Sequence, residues 1–158
     1  YQLLSKNTLY YEYCPPFVTR DSIRMDMTAL PPGKDSKDKY YVGFYQDEKM
    51  IAVLDLIDGY PENDIAYIGF FMTDILEQDK GVGTAVIEGL CSYLAGQGCR
   101  SVRLAGVKGN PQAGHFWLKN GFMKLKETTS QAADEVILAE RKLSNGKKTK
   151  EESVSDGR

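Results

Sequence analysis

The chain has 158 residues and a mass of 17.7 kDa, which is enough for one domain with one hydrophobic core. Hydrophobic residues make up 42% and charged residues 27% of the sequence, as in ordinary globular proteins. The net charge of -2 and the pI near 5.5 argue against a nucleic-acid partner, which normally requires a basic surface.

Cysteine spacing and hydropathy exclude further classes of protein. Cys14, Cys91 and Cys99 show neither C-x-x-C nor Cys/His ligand spacing, so we expect no metal site. An odd cysteine count without a disulfide framework favours a reducing compartment, and we expect a cytoplasmic protein. We see no signal peptide and no apolar run of about 18 residues, so we expect no membrane partner.

The first third of the chain predicts helices and then a hairpin. Residues 1–13 should be helical at first and then irregular, and Thr19 should cap a helix over residues 20–30. Residues 40–46 and 50–58 have the composition of two hairpin strands. Each of these segments is bounded by prolines, glycines or charged turns.

A third strand over Ile65–Thr73 should complete an antiparallel meander. It is almost wholly apolar, as expected for a strand that is covered on both faces. Gly69 lies inside it and has no side chain to pack. An interior glycine indicates a bulge or a close backbone approach at this point.

An amphipathic helix should follow this strand. We expect it to begin near Gly81 and to end near Gly96 or Gly98, both of which can serve as C-cap residues. Its apolar residues recur at helical spacing, at Ile87, Leu90, Cys91 and Leu94.

The remaining segments predict one more strand, a short helix and a closing hairpin. Ser101–Val107 should lie parallel to the third strand, reached by a right-handed crossover. A helix over residues 112–119 and strands over residues 122–127 and 134–141 follow. Residues 144–158 contain one apolar residue and many charges, so we expect a disordered tail.

The junction between the third strand and the long helix has the composition of an anion site. Two glycines stand where the helix begins, and the first amides of a helix have no intrahelical partner and lie at the positive end of the dipole. These amides suit a pyrophosphate, with a lysine and a threonine to assist them. This glycine loop consists of Gln78, Asp79, Lys80, Gly81, Val82, Gly83 and Thr84.

Two common phosphate motifs do not fit the glycine loop. The dinucleotide fingerprint G-x-G-x-x-G fails because its third glycine falls on Val86, and its tight turn is replaced here by a seven-residue connection. A Walker A loop fails because no G-K-[ST] follows the glycines. What remains is Q-x-x-G-x-G after an apolar strand, with an ordinary helix start as the alternative.

This Q-x-x-G-x-G pattern resembles the pyrophosphate loop of the GNAT superfamily, the acyl-CoA-dependent N-acetyltransferases. The segment NPQAGHFWLKNGF at residues 110–122 resembles the superfamily's next motif, N-x-x-A-x-x-x-Y-x-x-x-G-F. It follows at the usual distance, after one strand. With two motifs in the right order over about residues 40–143, the chain is identified as a member of this superfamily.

The resemblance implies an α/β (α+β) fold for a single N-acetyltransferase domain over residues 1–143. A mixed central sheet should contain an antiparallel N-terminal meander and a parallel pair at the cofactor cleft, with flanking helices. Members of the family usually have a first strand before the first helix. We expect that strand to lie before Tyr1.

The resemblance also implies acetyl-CoA as co-substrate and no metal. Pantetheine should lie between the third strand and its parallel neighbour, and the pyrophosphate should lie on the glycine loop. A packed helix face is the alternative for the two aromatic residues of the second motif. The further cofactor-binding residues implied are Phe71, Met72, Thr73, Asn110, Ala113, Phe116 and Trp117.

An acceptor amine, with a pKa of about 10.4, must lose its proton before it attacks the thioester. Asp55 is the first candidate base, because burial in its apolar strand would raise its pKa, with a structural aspartate as the alternative. Hairpin pairing should bring Asp55 near Tyr67, the second candidate, and close to Gly69. We expect the single histidine, His115, to be exposed. Weaker candidates are Asp58, Glu62 and Asp64.

One residue departs from the family pattern. Many members have a tyrosine that reprotonates the CoA thiolate where this chain has Trp117. An indole N–H is no practical proton source. We therefore expect the thiolate to leave unprotonated, since a thiol pKa of about 8.5 makes it a tolerable leaving group.

The predicted activity is transfer of an acetyl group from acetyl-CoA to a primary amine of a small-molecule or peptide acceptor. The alternative is a non-catalytic CoA-binding regulatory module with the same fold, and a homodimer stays open. Aromatic residues near the N-terminus either wall an acceptor pocket or belong to the core; they are Tyr10, Tyr11, Tyr13, Phe17 and Tyr60.

Overall fold

The computed structural model describes residues 1–144, so the predicted tail lies almost wholly outside the described residues. Within residues 1–144 six strands form one mixed sheet in the order β1-β2-β3-β4-β6-β5, in which only β3 and β4 are parallel. The strands are β1 Lys39–Gln46, β2 Lys49–Ile57, β3 Ile65–Thr73, β4 Ser101–Val107, β5 Met123–Thr129 and β6 Glu135–Lys142. The predicted meander and closing hairpin are confirmed, and the second strand of that hairpin, β6, inserts between β4 and β5.

Five α-helices flank the sheet in the described part of the chain. Thr19 caps α3 as predicted, because its hydroxyl accepts a hydrogen bond from the Ser22 amide at 3.0 Å. No helix in residues 1–144 is long and apolar enough to span a bilayer. The helices are α1 Gln2–Ser5, α2 Thr8–Tyr13, α3 Arg20–Thr28, α4 Val82–Gly96 and α5 Pro111–Lys119, with short 3-10 turns at Ser36–Asp38 and Ile75–Glu77.

The central strands are covered on both faces, which explains their apolar sequences. On one face, Leu54 and Ile68 pack with the buried stripe of α4, formed by Ile87, Cys91 and Leu94. On the other face Val53 and Met72 pack against residues of the N-terminal helices. Alternate residues of β2 and β3 therefore belong to different cores.

A bulge interrupts the pairing of β2 with β3 at Gly69, as the interior glycine predicted. Asp55 pairs with Phe70 and Leu56 pairs with Ile68, so Gly69 has no partner on β2. A Cβ at Gly69 would lie 2.8 Å from Asp55 Oδ2, so glycine leaves the space that this carboxylate occupies.

The expected pairing of Asp55 with Tyr67 is wrong. Tyr67 lies opposite Ile57, the last residue of β2, and Asp55 lies opposite Phe70. The register differs because the turn before β3 is longer than expected and the bulge at Gly69 adds one more residue. The expected closeness of Asp55 to Gly69 is confirmed.

The parallel pairing of β3 with β4 stops halfway along both strands. It runs from Ile65 opposite Ser101 to Ile68 opposite Leu104. β3 continues to Thr73 and β4 continues to Val107. Residues 69–73 and 105–107 therefore present backbone edges to each other that have no partner in the described sheet; we name this opening the β3–β4 gap.

The contact at the bulge predicts that Gly69→Ala destabilises the fold. Because the new methyl group would overlap the Asp55 carboxylate, we expect the free energy of unfolding to fall by about 1–3 kcal/mol. In an Asp55→Ala background the same change should cost less than about 1 kcal/mol. Urea unfolding of the four proteins measures both values.

Gly89→Ala is the matched control, because nothing lies within 4 Å of a Cβ at that exposed position in α4. It should raise the free energy of unfolding by about 0.5–1 kcal/mol through helix propensity. An equal loss from Gly69→Ala in both backgrounds contradicts the steric explanation.

Candidate functional site

The connection from β3 to α4 is fixed at its start by a buried carboxylate. Asp74 is 3% exposed, and its Oδ1 accepts a hydrogen bond from the Leu76 amide at 2.9 Å. Lys6 Nζ lies 3.4 Å from Oδ2. Burial acts to raise the pKa of Asp74, but the Leu76 amide and the Lys6 ammonium outweigh burial and lower it. These contacts therefore fix the course of the backbone where it leaves the sheet.

The start of α4 presents backbone amides without a side-chain cap. Gly81 occupies the N-cap position with φ +78°, a left-handed conformation that favours glycine. The first intrahelical bond runs from the Ala85 amide to the Gly81 carbonyl at 3.0 Å. The amides of Val82, Gly83 and Thr84 therefore have no intrahelical partner, as the glycine loop predicted.

Gly83 has a packing role that the sequence did not indicate. A Cβ there would lie 3.0 Å from a ring carbon of Phe116 and 3.4 Å from the methyl group of Thr73. Glycine at this position lets the first turn of α4 approach both the end of β3 and α5. The two glycines of the loop thus serve different purposes, conformation at Gly81 and close approach at Gly83.

Aromatic rings of α5 pack against Phe71, one of the β3 residues that border the β3–β4 gap. Phe71 of β3 stacks on Phe116 of α5, with ring centroids 5.9 Å apart and planes 19° apart. Trp117 lies edge-on to Phe116 at 4.9 Å and to Phe122 at 5.0 Å. Phe116 and Trp117 are half-buried and join the core that α4 shares with the sheet. Much of the surface of Phe116 and Trp117 is therefore packed against the core, as expected from the alternative of a packed helix face.

Polar side chains link the glycine loop to its neighbours. Gln78 Nε2 donates to Asn7 Oδ1 at 2.6 Å, and Gln78 Oε1 accepts from Gln112 Nε2 at 3.5 Å. Asn110 caps α5, because its Oδ1 accepts from the Ala113 amide at 3.2 Å. Asn110 therefore shapes the start of α5, and its predicted role toward the cofactor stays a prediction.

Asp79 and Lys80 of the glycine loop are open to solvent. The Lys80 side chain is 63% exposed, and its Nζ lies 3.9 Å from Glu77. Asp79 is exposed and adopts φ 60°. Lys80 is thus available to move toward an anion. His115 is exposed, as expected.

Asp55 is paired with a lysine, which the sequence did not predict. Lys39 Nζ donates to Asp55 Oδ2 at 3.0 Å and to the Ala29 carbonyl at 2.7 Å. It also lies 3.0 Å from Oδ1, without hydrogen-bond geometry. The side chains are only 6% and 13% exposed, for Lys39 and Asp55 respectively. Burial raises the pKa of Asp55, and the Lys39 ammonium opposes that shift without cancelling it.

Two further ionisable groups share the environment of Asp55. Burial, and next the negative charge of Asp55, raise the pKa of Asp26. Burial, and next the charges of Asp26 and Asp55, raise the pKa of Tyr41 to about 12. The region between α3 and the sheet therefore favours neutral or paired acids.

Tyr67 lies on the same side of the sheet as Asp55, since its neighbours Ala66 and Ile68 face α4. Its ring is 5.4 Å from that of Tyr60, edge to face. Burial, and next Tyr60, raise the pKa of Tyr67, so its phenol is a hydrogen-bond donor at neutral pH.

The remaining aromatic and acidic candidates have structural contacts. Tyr10 lies edge-on to Phe70 at 5.7 Å, and Tyr11 packs on Phe17 at 5.1 Å. Tyr10 and Tyr11 pack against the core between the sheet and the N-terminal helices, whereas Tyr13 and Phe17 are exposed. Glu62 and Asp64 both bind Arg100 through ion pairs, and Asp58 is exposed. Residues 1–144 contain no cluster of three or more His, Cys, Asp or Glu side chains that could hold a metal ion.

The chain matches a known protein family over most of its length. The family model described as Acetyltransferase (GNAT) family matches residues 6–122. The chain belongs to the GNAT acetyltransferase family. The family and the fold class predicted from the two sequence motifs are both confirmed.

Solved structures show the same fold at low sequence identity. An acetyltransferase from Thermus thermophilus has a TM-score of 0.67, with 18% identity and 90% of each chain covered. The ribosomal-protein-S18-alanine N-acetyltransferase from Escherichia coli has a TM-score of 0.62, with 16% identity and 86% of each chain covered. The PaiA N-acetyltransferase from Thermoplasma acidophilum in complex with coenzyme A has a TM-score of 0.54 and 20% identity, covering 66% of this chain and 61% of that one. No sequence among the curated proteins matches the chain.

The buried pair predicts a pH-dependent defect in Lys39→Met. A carboxyl whose folded pKa lies above its unfolded pKa binds more protons when folded, so stability falls as the pH rises through the folded pKa. Without Lys39 the pKa of Asp55 should rise further. The variant should lose about 3 kcal/mol of unfolding free energy relative to wild type near pH 8, and clearly less near pH 5.

Urea unfolding of both proteins at the two pH values measures this difference. The control is Lys39→Met combined with Asp55→Asn, which removes the titrating group and should make the loss nearly independent of pH. A loss in Lys39→Met that does not change with pH contradicts the assignment of Asp55 as its partner.

Proposed function

We propose that the protein transfers an acetyl group from acetyl-CoA to a primary amine of a small molecule or peptide. The observation that carries this proposal is the position of the α4 amides beside the β3–β4 gap. One end of this opening offers free helix amides and the other offers two unpaired strand edges. A CoA molecule has matching parts, an anionic pyrophosphate and a pantetheine arm with its own amide groups.

The residues present fit such a co-substrate. The amides of Val82, Gly83 and Thr84 would hold the pyrophosphate, with Lys80 adding a mobile charge. The backbone of residues 71–73 would hold the pantetheine arm, which leads toward the bulge at Gly69. Bound acetyl-CoA supplies the acetyl group as an activated thioester.

The neutral amine forms a C–N bond with the acetyl carbonyl carbon, the C–S bond breaks so that CoA leaves as its thiolate, and the newly bonded nitrogen releases a proton to solvent. Before this attack, the acceptor ammonium must lose one proton. We propose Asp55 as the group that accepts this proton through water. Its support is a raised pKa and its contact with Gly69 at the inner end of the gap. Tyr67 would act as a hydrogen-bond donor nearby. Trp117 would line the site without supplying a proton.

Two structures with the same fold have names that refer to acceptors of the two proposed classes. The names of two similar structures refer to an alanine of ribosomal protein S18 and to spermidine, one a residue of a protein and the other a small polyamine. Their identities to this chain are 16% and 15%, so they support the fold and not a particular acceptor. We propose a cytoplasmic enzyme without a nucleic-acid or membrane partner, in line with its free cysteines.

A specific observation supports a second candidate, a non-catalytic CoA-binding module. Lys39 forms an ion pair with the carboxylate of Asp55, and Trp117 stands where many members of the family have a tyrosine. Incubation with acetyl-CoA and a panel of polyamines, aminoglycosides, amino acids and peptides, with free thiol as the readout, separates the two. Release of CoA with one acceptor supports the enzyme. Acetyl-CoA binding without transfer to any acceptor supports the module.

Acetyl-CoA affinity should depend on the charge at the start of α4. Thr84→Glu places a carboxylate beside the free amides, where a negative charge favours the helix but repels a pyrophosphate. We expect acetyl-CoA affinity to fall about tenfold or more, with an unchanged melting temperature. Position 84 is preferable to Gly83, where any side chain meets Phe116. Calorimetric titration measures the affinity.

Ser92→Glu is the matched control, since it adds the same charge at an exposed position farther along α4. Its affinity for acetyl-CoA should stay within about twofold of wild type. Equal affinity in the Thr84→Glu and Ser92→Glu variants excludes the helix start as the pyrophosphate site.

Asp55→Asn tests the proposed base. Asparagine keeps the size of the side chain but cannot accept the proton, so turnover should fall by about two to four orders of magnitude. The loss should shrink at high pH, where more of the amine is already neutral. Acetyl-CoA affinity should stay close to that of wild type, whereas the melting temperature should fall, because the buried Lys39 ammonium loses its carboxylate partner. Steady-state kinetics with an acceptor from the panel provides the measurement.

Lys39→Gln is the control for the ion pair, because it also breaks the pair but leaves the carboxylate. It should keep most of the turnover if Asp55 acts as the base. A folded and fully active Asp55→Asn protein rules out this role, and an equal loss in both variants assigns the effect to the pair.

A further inference from the structure

Asn7 lies between α1 and α2 and is almost completely buried, with 5% of its surface exposed. Its amide nitrogen donates to the Leu3 carbonyl at 3.1 Å and to the Thr73 carbonyl at 3.4 Å. Its amide oxygen accepts from Gln78 Nε2 at 2.6 Å. A buried amide with these partners has a fixed orientation, since reversing it would place like atoms together.

The two long-range partners of Asn7 stand at opposite ends of one connection. Thr73 is the last residue of β3, and Gln78 is the first residue of the glycine loop. Only the short turn around Ile75–Glu77 lies between them. One buried side chain therefore joins the end of the strand edge to the start of the loop that leads to the free α4 amides.

The other contacts at this connection lie within it or are more exposed. The buried Asp74 bonds the Leu76 amide inside the connection, and Lys6, whose side chain is 48% exposed, lies 3.4 Å from Asp74. The Gln112 bond to Gln78 is 3.5 Å long and exposed. Among the contacts of the described residues, Asn7 is the buried link between the N-terminal helices and the glycine loop.

We propose that Asn7 is a positioning residue for acetyl-CoA, which sets the distance between the β3–β4 gap and the α4 amides without touching the reacting atoms. The inference rests on the proposed function, because it assigns the two ends of the opening to the pantetheine arm and the pyrophosphate. Prior ordering of both ends lowers the entropy lost on binding. Loss of Asn7 should weaken acetyl-CoA binding and leave the chemical step intact.

Asn7→Ala is the principal variant. We expect its Kd for acetyl-CoA to rise about tenfold by calorimetry, and its kcat at saturating acetyl-CoA to stay within about twofold of wild type. Hydrogen exchange without ligand should be faster in the peptide that covers residues 74–84. If the alanine variant does not fold, Asn7→Ser, which is too short to bridge Thr73 and Gln78, should show the same loss.

Leu3→Ala is the control for loosening of the N-terminal helices, because Leu3 is buried in the second core but makes no polar link to the loop. It should lower the melting temperature at least as much as Asn7→Ala, while the Kd for acetyl-CoA stays within about twofold of wild type. In a Gln78→Ala background, Asn7→Ala should cause little further loss of affinity, since the link is already broken.

Three affinity results would overturn the inference and leave the proposed function standing: wild-type affinity in Asn7→Ala, an equal loss of affinity in Leu3→Ala, or additive losses from Asn7→Ala and Gln78→Ala. Absence of acetyl-CoA binding by the wild-type protein would overturn the proposed function and this inference together. The exchange experiment needs no ligand, so unchanged exchange in residues 74–84 of Asn7→Ala also counts against the inference.

Discussion

The structure depends on the way β3 pairs with its two neighbours: it stays hydrogen-bonded to β2 but separates from β4 halfway along its length. β3 remains paired with β2 as far as Thr73, but its pairing with β4 ends at Ile68. The bulge at Gly69 marks the change, and the Asp55 carboxylate occupies the space that a side chain at Gly69 would need. Since backbone amides and carbonyls seek hydrogen-bond partners, the separated edges are a ready surface for a ligand with its own amides.

The two faces of the sheet next to this separation carry different groups. The face toward α4 and α5 holds the stacked rings of Phe71 and Phe116 and receives the first turn of α4 at Gly83. The opposite face holds the Asp55–Lys39 pair and the tyrosines of the N-terminal helices. Under the proposed function, the first face holds the CoA moiety, and the second is where a proton leaves the acceptor.

The sequence predicted the elements that local patterns determine. The glycine loop, the bulge at Gly69 and the strand Ser101–Val107 each follow from neighbouring residues, and the family follows from two motifs at a fixed spacing. The Asp55–Lys39 pair was not predictable, because it joins residues on β2 and β1 that do not face each other in the register: Asp55 lies opposite Tyr41, and Lys39 lies opposite Ile57. The link from Asn7 to Gln78 spans 71 residues and has no signal in the sequence, since a lone asparagine after a short helix is unremarkable in composition.

The central claim is that the β3–β4 gap and the start of α4 form one continuous site for acetyl-CoA. Titration of the 15N-labelled protein with CoA, followed by amide resonances, tests it most directly. The account predicts that the largest shifts fall on Val82, Gly83 and Thr84 and on the backbone of residues 71–73, all with one dissociation constant. Shifts confined to the face between α3 and the sheet, or saturation of the two segments at different concentrations, would contradict it.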